Sequence, residues 1–394
     1  MTSMSPVERV FRTMEGKPVD RIPCFCAQLE ARQANEILGQ PARPEPGESL
    51  TPWINSVAKE GSPVVEPDLI RLSLAETLNH RNQAQVEMGF DAMWVYYDDT
   101  WQALADGSLA LTSGALCSVI PDGHGNMTYM YREPGIKSLD DYEAWPHWPD
   151  PDDVAHRAYE YYKAFVKKNG EKTCIFGYGF FGGLFESMNW SFGIEKAPLW
   201  IKKHPDYVKR FLDLMEEISI KTHTAILDAG APGIFQTDDF AYKTGPFMRP
   251  AMINELFGER YRRIIKNVQD RGGKYILHSC GDNTLLFDHF IDWGADGLHA
   301  YENTSNVDIY KEKEIHGDQV TIVGGVGIDY LLSERSQDEE IVEKVKELIA
   351  KLGPSGRFLL SPVHSEDSVP SAKLKVMLDA TKKYGAYPIN RTLL

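Results

Sequence analysis

Eight short apolar runs, separated by stretches with helical patterning, constrain the fold of this chain more than any other feature. Most of the runs are rich in β-branched or aromatic residues at consecutive positions, which is typical of parallel strands buried on both faces. They are RIPCFCAQ (21–28), DAMWVYYDD (91–99), KTCIFGYGF (172–180), GIFQTDDF (233–240), KYILHSCGD (274–282), DGLHAY (296–301), VTIVGGVG (320–327) and RFLLSPVHS (357–365).

Amphipathic patterns between these runs predict helices over 204–230, 249–273 and 338–353. Eight strands that alternate with helices match the count of a (β/α)8 TIM barrel. A doubly wound open sheet would also alternate strand and helix, so the count favours the barrel without excluding the sheet. The predicted fold class is therefore α/β, with a (β/α)8 barrel as its architecture.

Two stretches depart from the alternation of strand and helix. Residues 104–136 contain two alternating runs around a turn at 121–126, which predicts a β-hairpin inserted near the barrel mouth. Residues 28–80 mix helical patterns with Pro/Gly loops and predict an N-terminal helical cover. Neither has the pattern of an independent domain, so we expect residues 1–394 to form a single domain.

The composition excludes several classes of partner. A net charge of −15 argues against nucleic acid and against anionic membrane surfaces. No apolar run approaches the roughly 20 residues that span a bilayer, and the N-terminus lacks the apolar segment of a secretory signal. Five irregularly spaced cysteines favour a reducing compartment, so we expect a cytoplasmic protein.

Polar and ionisable side chains gather at the C-terminal ends of the apolar runs. In a (β/α)8 barrel these ends meet on one face, where the active site is built. The sequence therefore predicts a site at that face. Its candidate residues are Asp98, Asp99, Tyr178, Asp238, Asp239, His278, Cys280, Glu302 and His364.

His278 and Cys280 are the strongest pair among these residues. Positions i and i+2 of a strand point to the same face, so imidazole and thiol would aim at one point. Both groups bind zinc, and a catalytic zinc site keeps three protein ligands and one open position. We expect His364 to be the third metal ligand. The residues also leave open a buried cysteine beside a hydrogen-bonded histidine.

Adjacent carboxylates close the fourth run at Asp238 and Asp239. Because neighbours on a strand face opposite ways, at most one of them points into the mouth. That one could ligate a metal, act as a general base or orient a ligand. A helix cap or an ion pair with Arg249 is the alternative. A carboxylate at Glu302 could equally be a solvated loop residue.

The stretch FGYGFFGGLFESMNW (176–190) is dense in aromatic residues and glycine. Tyr178, Phe180 and Trp190 are candidates for the walls of a substrate pocket, although they could simply pack under the next helix. Gly324 and Gly325 end the seventh run without a P-loop or dinucleotide-binding spacing. They permit close approach either of a cofactor or of a neighbouring loop.

Several motifs resemble the uroporphyrinogen decarboxylase superfamily, and the resemblance extends over nearly the whole chain. Its members are (β/α)8 barrels, which is the fold that the resemblance implies here. The motifs are SPVERVFRTMEGKPVDRIPCF (5–25), SLDDYEAWPHWPDPDD (138–153), the long block DDFAYKTGPF…KYILHSCGD (238–282), IVGGV (322–326) and RFLLSPVHS (357–365).

Two chemistries occur in this superfamily. Decarboxylases hold a tetrapyrrole with an Arg-rich segment after the first strand, where this chain has only Arg32-Gln33-Ala34-Asn35, displaced and lacking the second arginine. Asp98 does stand where the resemblance places the decarboxylase's catalytic aspartate. The missing arginine disfavours this chemistry, and a decarboxylase is kept as an alternative.

The other branch contains zinc-dependent methyltransferases, which move a methyl group between a thiol, ether or amine and a corrinoid on a separate small protein. Several of them bind zinc through H-x-C and a later cysteine. His278 and Cys280 match the first two ligands, and His364 stands in place of the cysteine. The resemblance thus implies zinc, a cobalamin-type corrinoid, a corrinoid protein as partner and a small methylated substrate.

A zinc ion held by two histidines and one cysteine should be a stronger Lewis acid than one held by one histidine and two cysteines. A stronger Lewis acid suits cleavage of an ether more than activation of a thiol. We therefore hypothesise transfer of a methyl group from a methyl ether to a Co(I) corrinoid, with Asp239 or Glu186 orienting or protonating the leaving group. A methylcorrinoid:thiol methyltransferase of the coenzyme M type is the main alternative. A corrinoid- or tetrapyrrole-binding protein without catalysis is a further one.

Overall fold

Eight parallel strands form the centre of the fold in a computed structural model, and their order in the sheet is their order in the chain. The structure describes residues 3–39, 67–97, 101–104, 106–121, 127–178, 182–299, 301–332, 336–364 and 366–390. Asp98, Asp99 and Phe180, which are predicted site residues, lie outside these ranges. In order, the barrel strands are Phe25–Cys26, Ala92–Val95, Cys174–Gly177, Gly233–Thr237, Lys274–His278, Gly297–His299, Thr321–Val326 and Phe358–Pro362.

The first and eighth strands close the sheet into a barrel. Cys24 and Leu360 form a parallel bridge, and the Leu360 N–H donates to the Pro23 carbonyl at 3.0 Å. Each of the eight apolar runs contains one barrel strand. The predicted (β/α)8 barrel is therefore confirmed.

Helices surround the barrel and fill most of the connections between strands. The predicted helix over 249–273 contains a π-helical turn, in which the Asn254 side chain accepts from the Trp293 indole at 2.8 Å. No helix in the described ranges has the length and hydropathy that crossing a membrane requires. The helices are Pro6–Met14, Ala31–Leu38, Pro67–Met88, Leu139–Ala144, Pro151–Asn169, Leu184–Phe192, Ala197–Lys203, Pro205–Asp228, Pro250–Ile253, Asn254–Gly258 (π), Glu259–Asp270, Phe287–Asp292, Asn303–Ser305 (3₁₀), Ile309–His316, Ile328–Leu332, Asp338–Leu352 and Ser371–Tyr384.

The insertion after the second barrel strand is an antiparallel sheet of four strands, Trp101–Ala103, Leu109–Leu111, Ala115–Pro121 and Met127–Pro134. The last two form the predicted hairpin, whose turn residues 122–126 lie outside the described ranges. The first two strands were not predicted, because three-residue strands leave little alternation to detect. A contact of 3.1 Å between the Tyr96 and Tyr129 hydroxyls joins this sheet to the barrel mouth.

The predicted N-terminal cover contains the helices Ala31–Leu38 and Pro67–Met88. Gln33 donates to the carbonyls of Glu366 and Val369, at 2.6 and 2.7 Å, and so ties the shorter helix to the loop after the eighth strand. The cover therefore lies beside the C-terminal ends of the strands. A strand-paired ribbon, Ala241–Tyr242 with Gly245–Pro246, follows the fourth strand on the same side.

Aromatic side chains fill the barrel interior. Phe25 stacks on Phe235 at 5.2 Å between ring centroids and meets Phe176 edge-on at 5.9 Å. The helix Pro6–Met14 closes the opposite end, where Val10 and Met14 join the same buried cluster. The interior is thus a packed core, and a ligand of this barrel would bind above the core, at the C-terminal ends of the strands.

A buried ion network stabilises the N-terminal end of the barrel. Asp91 is 4% exposed and accepts from Arg9 at 2.7 Å and from Arg21 in a two-point contact at 2.6 Å. Asp91 also accepts from the Cys24 N–H at 3.0 Å. These contacts fix the N-terminal helix and the first two strands relative to one another.

We predict that Asp91→Asn lowers the free energy of unfolding by about 3 kcal/mol, because both guanidinium groups lose their shared carboxylate. Arg9 keeps its contact with Asp20 at 2.6 Å, which limits the loss. Asp270→Asn, which removes an exposed pair with Lys266, should cost no more than about 0.5 kcal/mol. Urea unfolding followed by circular dichroism would measure both, and equal losses would contradict the account.

Candidate metal centre at the barrel mouth

His278 and Cys280 share one face at the end of the fifth strand, as the spacing predicted. The His278 Nε2 lies 3.2 Å from the Cys280 Sγ. The chain turns directly afterwards at Gly281, whose φ of +86° favours glycine. A Cβ at Gly281 would lie 2.3 Å from the Ala241 carbonyl oxygen, so no other residue fits between these loops.

The loop that carries Cys280 is held from below by Asn283. Its buried side-chain amide donates to the carbonyls of Ser279 and Cys280 at 2.9 and 2.8 Å. The Ser279 hydroxyl in turn accepts from the Phe240 N–H at 3.0 Å. The side chains of Asn283 and Ser279 therefore hold the backbone of the loop that carries the Cys280 thiol.

Asp239 is the carboxylate that faces the mouth. Its Oδ1 accepts from the Cys280 N–H at 2.7 Å and lies 3.8 Å from the His278 Nε2. The ligand atoms of Asp239, His278 and Cys280 all lie within 4.8 Å of one another. In the described part of the chain, these three residues form the group of His, Cys and acidic side chains that lie close enough to share a metal ion.

Asp238 points the opposite way and anchors the helix Leu184–Phe192. It accepts from the N–H groups of Phe185 and Glu186 at 2.9 and 2.8 Å, and from the Tyr261 hydroxyl at 2.5 Å. Burial raises the pKa of Asp238 to about 7 although these donors lower it. The helix-capping alternative therefore describes Asp238, whereas Asp239 belongs to the site.

His364 lies at the edge of this cluster. Its Nε2 is 3.9 Å from the Cys280 Sγ and forms an ion pair with the Glu302 Oε1. Glu302 is 7% exposed and accepts from the Ser305 hydroxyl at 2.7 Å, so its interpretation as a solvated loop residue is wrong. Burial raises the pKa of Glu302, but the hydrogen bond with His364 and the charge of His364 outweigh burial and lower this pKa to about 2.

Glu186 reaches the same place from the first turn of the helix Leu184–Phe192. Burial, and then the charges of Asp239 and Asp238, raise its pKa well above the usual range. Burial also raises the pKa of Asp239. Burial, and then the charges of the nearby carboxylates, raise the pKa of the Cys280 thiol well above its usual range. Three acidic groups thus crowd a buried space.

A divalent cation would reduce the repulsion between these acidic groups. Charge repulsion and burial keep protons on the cluster, and a bound cation reverses that preference. Thiol, imidazole and carboxylate are the donors that zinc uses in proteins. The residues present therefore fit a zinc ion.

His299, which the sequence analysis did not single out, lies behind His278. The two Nδ1 atoms are 2.6 Å apart, and the rings of both residues rest on Phe235. Burial, and then the charge of His364, lower the pKa of His278 to about 3, so its imidazole is neutral. The signal was present in DGLHAY, because parallel pairing sets His299 beside His278.

Two connected cavities open on one side of the cluster. The first, of 280 Å³, is walled by the rings of Trp94, Tyr96, Tyr129, Tyr131, Tyr178 and Trp190. The second, of 210 Å³, shares Gln28, Glu30, Trp94 and Thr237 with the first and is lined by Glu186, Asp239, His278 and His364. An aromatic chamber thus leads to the metal-binding side chains.

A third cavity, of 540 Å³, opens on the other side of the cluster, where Cys280, Glu302 and His364 line it together with the exposed Tyr242 and Lys243. His364 lines both this cavity and the one that holds His278. The cluster therefore lies between the aromatic chamber and a larger cavity that is bordered by the exposed Tyr242 and Lys243.

Four other predicted residues can be placed. Tyr178 contacts the Thr237 hydroxyl at 3.0 Å and, like Trp190, lines the aromatic chamber. Gly324 lies against Tyr301, and Gly325 against Leu348. In the described part of the chain neither glycine lines the three cavities, and packing against neighbouring elements is enough to account for both. Their role in cofactor binding stays a prediction.

Comparison with known proteins agrees with this architecture. Residues 127–384, more than half of the chain, match the uroporphyrinogen decarboxylase (URO-D) family. The chain belongs to this family. A solved methyltransferase from Methanosarcina mazei superposes with a TM-score of 0.65 at 20% identity, covering 97% of this chain and 99% of that one. At this identity the likeness to the methyltransferase concerns the fold of the URO-D barrel alone.

Two curated relatives come from Methanosarcina barkeri, one of them from strain Fusaro / DSM 804, and both are named methylcobamide:CoM methyltransferase MtaA. Each is 26% identical over 133 residues, which are 34% of this URO-D chain and 37% of the relative. The match thus spans little more than a third of the length of these relatives.

We predict that Gly281→Ala weakens metal binding at least about tenfold, because the new Cβ displaces the loop that carries Cys280. Gly272→Ala is the matched control, since Gly272 has a φ of +78° but no neighbouring atom within 4 Å of the place that a Cβ would take. Both variants should lose about 1–2 kcal/mol of stability from the left-handed backbone. Zinc titration against a chromophoric chelator would compare them, and wild-type affinity in Gly281→Ala would contradict this role of the turn.

Proposed function

We propose that this protein is a zinc-dependent methyltransferase that transfers the methyl group of an aryl methyl ether to a Co(I) corrinoid on a separate small protein. The observation that carries the proposal is the placement of His278, Cys280 and Asp239 between an aromatic chamber and the larger cavity beside Tyr242. Membership of the URO-D family and the names of the relatives support methyl transfer as the reaction class.

The metal would be held by the His278 Nε2 and the Cys280 Sγ, with Asp239 or His364 as the third ligand. Zinc at this place would act as a Lewis acid toward the oxygen of the small substrate. Asp239 already lies within reach of both other ligands. His364 would first have to leave its ion pair with Glu302.

The aromatic chamber would bind the aryl ring. Six aromatic side chains surround a cavity of 280 Å³, which suits a flat ring better than a short alkyl thiol. The neighbouring cavity, with Glu186 and Asp239, would receive the methoxy oxygen. The methyl carbon would then face the open cavity beside Tyr242, where a corrinoid protein can approach.

Glu186 is the residue best suited to protonate the leaving oxygen. Burial, and then the charges of Asp239 and Asp238, raise its pKa and so favour the protonated carboxyl group, and it lines the cavity beside His278. When the carbon–oxygen bond breaks, its electron pair would stay on oxygen, which would take the Glu186 proton. The Co(I) corrinoid would supply the electron pair for the new bond to the methyl carbon. Asp239 keeps the Cys280 loop in place through the backbone N–H.

A second candidate is a methylcorrinoid:thiol methyltransferase. The names of the two Methanosarcina barkeri relatives favour it. A zinc ion held by the same ligands would then bind the sulfur of the thiol, and a nearby carboxylate would accept the thiol proton. The aromatic chamber is the feature that this candidate does not use.

Porphyrinogen decarboxylation is less well supported. Among the described residues that line the three cavities, Arg81 is the one arginine, and its guanidinium is paired with Glu30. Arg32 instead pairs with Glu36 on its own helix. A polycarboxylate would therefore find few cationic partners here.

We predict that the zinc-loaded protein, given reduced corrinoid, releases a phenol from methoxybenzenes. Glu186→Gln should lower kcat by about 10²- to 10⁴-fold, with the largest loss for phenols of high pKa, because the leaving oxygen then lacks its acid. Glu195→Gln, on the exposed surface beyond the same helix, is the control and should leave kcat unchanged. Liquid chromatography of the phenol and the corrinoid absorption spectrum measure the reaction.

A different product would redirect the assignment. Formation of a thioether from methylcobalamin and a thiol, with no phenol from any ether, would favour the second candidate. Release of carbon dioxide from a porphyrinogen would contradict methyl transfer altogether.

A further inference from the structure

The hydrogen-bond partners of His299 fix where its proton lies. Its Nε2 is 3.2 Å from the Pro362 carbonyl oxygen and 3.3 Å from the Ser361 hydroxyl. The Ser361 hydroxyl donates its own proton to the Pro362 carbonyl at 2.8 Å, so toward His299 it can only accept. Both partners of the His299 Nε2 are thus acceptors, and this nitrogen must carry a hydrogen.

The proton on Nε2 determines the state of the neighbouring ring. A neutral imidazole that carries hydrogen on Nε2 has a lone pair on Nδ1. The His299 Nδ1 lies 2.6 Å from the His278 Nδ1, and a contact this short between two nitrogens requires one proton between them. That proton must belong to His278, whose Nε2 is then left with a free lone pair.

The free lone pair points at the metal-binding cluster. The His278 Nε2 lies 3.2 Å from the Cys280 Sγ and 3.8 Å from the Asp239 Oδ1. We propose that His299 is a positioning residue, which holds His278 as the Nδ1–H tautomer and so presents its unprotonated Nε2 to the metal.

Burial makes this arrangement effective. His299 is 3% exposed, so water does not compete for its hydrogen bonds. The centroids of the His278 and His299 rings are 4.9 Å apart, and Phe235 lies against both rings. This packing restricts rotation of the His278 ring. Hydrogen bonds behind a metal-binding histidine commonly fix its tautomer and raise its basicity, and losing one weakens metal binding about 10- to 100-fold.

The inference rests on the zinc site of the proposed function but does not depend on which methylated substrate is used. A purely structural role for His299 would predict the same metal affinity for any variant that folds. A positioning role predicts that affinity follows the presence of an acceptor at the place of the His299 Nδ1.

Two substitutions at His299 separate these roles. His299→Leu keeps the apolar bulk and leaves the His278 Nδ1–H without an acceptor, so zinc should bind about 10- to 100-fold more weakly. His299→Asn offers a side-chain oxygen in place of Nδ1 and should recover most of the affinity. His223→Leu is the control, because His223 is equally buried but bonds to Gln236 outside the site.

Zinc affinity would be measured by competition with a chromophoric chelator, and cobalt(II) substitution would report the thiolate-to-metal absorption band. Equal affinity of wild type, His299→Leu and His299→Asn would overturn the proposal while leaving zinc binding intact. A wild-type protein that binds no zinc would overturn both this proposal and the zinc site of the proposed function.

The tautomer can also be observed without any substitution at His299. Long-range proton–nitrogen correlation spectra of the metal-free protein, labelled with ¹⁵N-histidine, distinguish protonated from unprotonated ring nitrogens. We expect His278, assigned with His278→Gln, to show hydrogen on Nδ1 and none on Nε2. Hydrogen on the His278 Nε2 would overturn the proposal even if the leucine variant fails to fold.

Discussion

The parallel register of the fourth, fifth and sixth strands is the constraint on which the site depends. Pairing sets Thr237 beside His278 and His278 beside His299, and the Asp238 N–H donates to the His278 carbonyl at 2.9 Å. Because successive side chains alternate between the two faces, Asp238 turns to the helix outside and Asp239 turns to the mouth. A shift by one residue would exchange these two carboxylates and remove the cluster.

The barrel interior gives this register its rigidity. Phe25, Phe176 and Phe235 fill the space beneath the site, and Phe235 contacts both histidine rings from below. The metal-binding side chains therefore rest on a packed layer, and their polar contacts lie above it. A site built in this way needs little rearrangement when a ligand arrives.

Charge defines the chemistry that this framework can support. Burial and mutual repulsion raise the pKa values of Asp239, Glu186 and the Cys280 thiol, which favours their protonated forms. His364 and Glu302 form the one buried ion pair of the described part of this cluster. The same carboxylates that favour a cation also supply an acid beside the cavity, which is the combination that ether cleavage requires.

Much of the fold, and part of the site, could be predicted from the sequence. Eight apolar runs gave the eight strands, and the spacing of His278 and Cys280 gave their common face, because both follow from local periodicity. The sequence held a signal for His299, because the histidine of DGLHAY ends the strand that pairs with the fifth. The burial of Glu302 could not be predicted, since it depends on contacts such as that with His364, which is distant in sequence. The roles assigned to Tyr178, Trp190, Asp239, Glu186 and His364 stay predictions, as do those of Asp98 and Phe180 outside the described residues.

X-ray absorption at the zinc edge tests the central claim most directly, because it reports the atoms bound to the metal. A zinc ion held by Cys280 and His278 should show one sulfur at about 2.3 Å, with nitrogen and oxygen at about 2.0–2.2 Å. The sulfur contribution should vanish in Cys280→Ser. A zinc spectrum without sulfur in the wild-type protein, or one unchanged in Cys280→Ser, would contradict a metal centre at the end of the fifth strand.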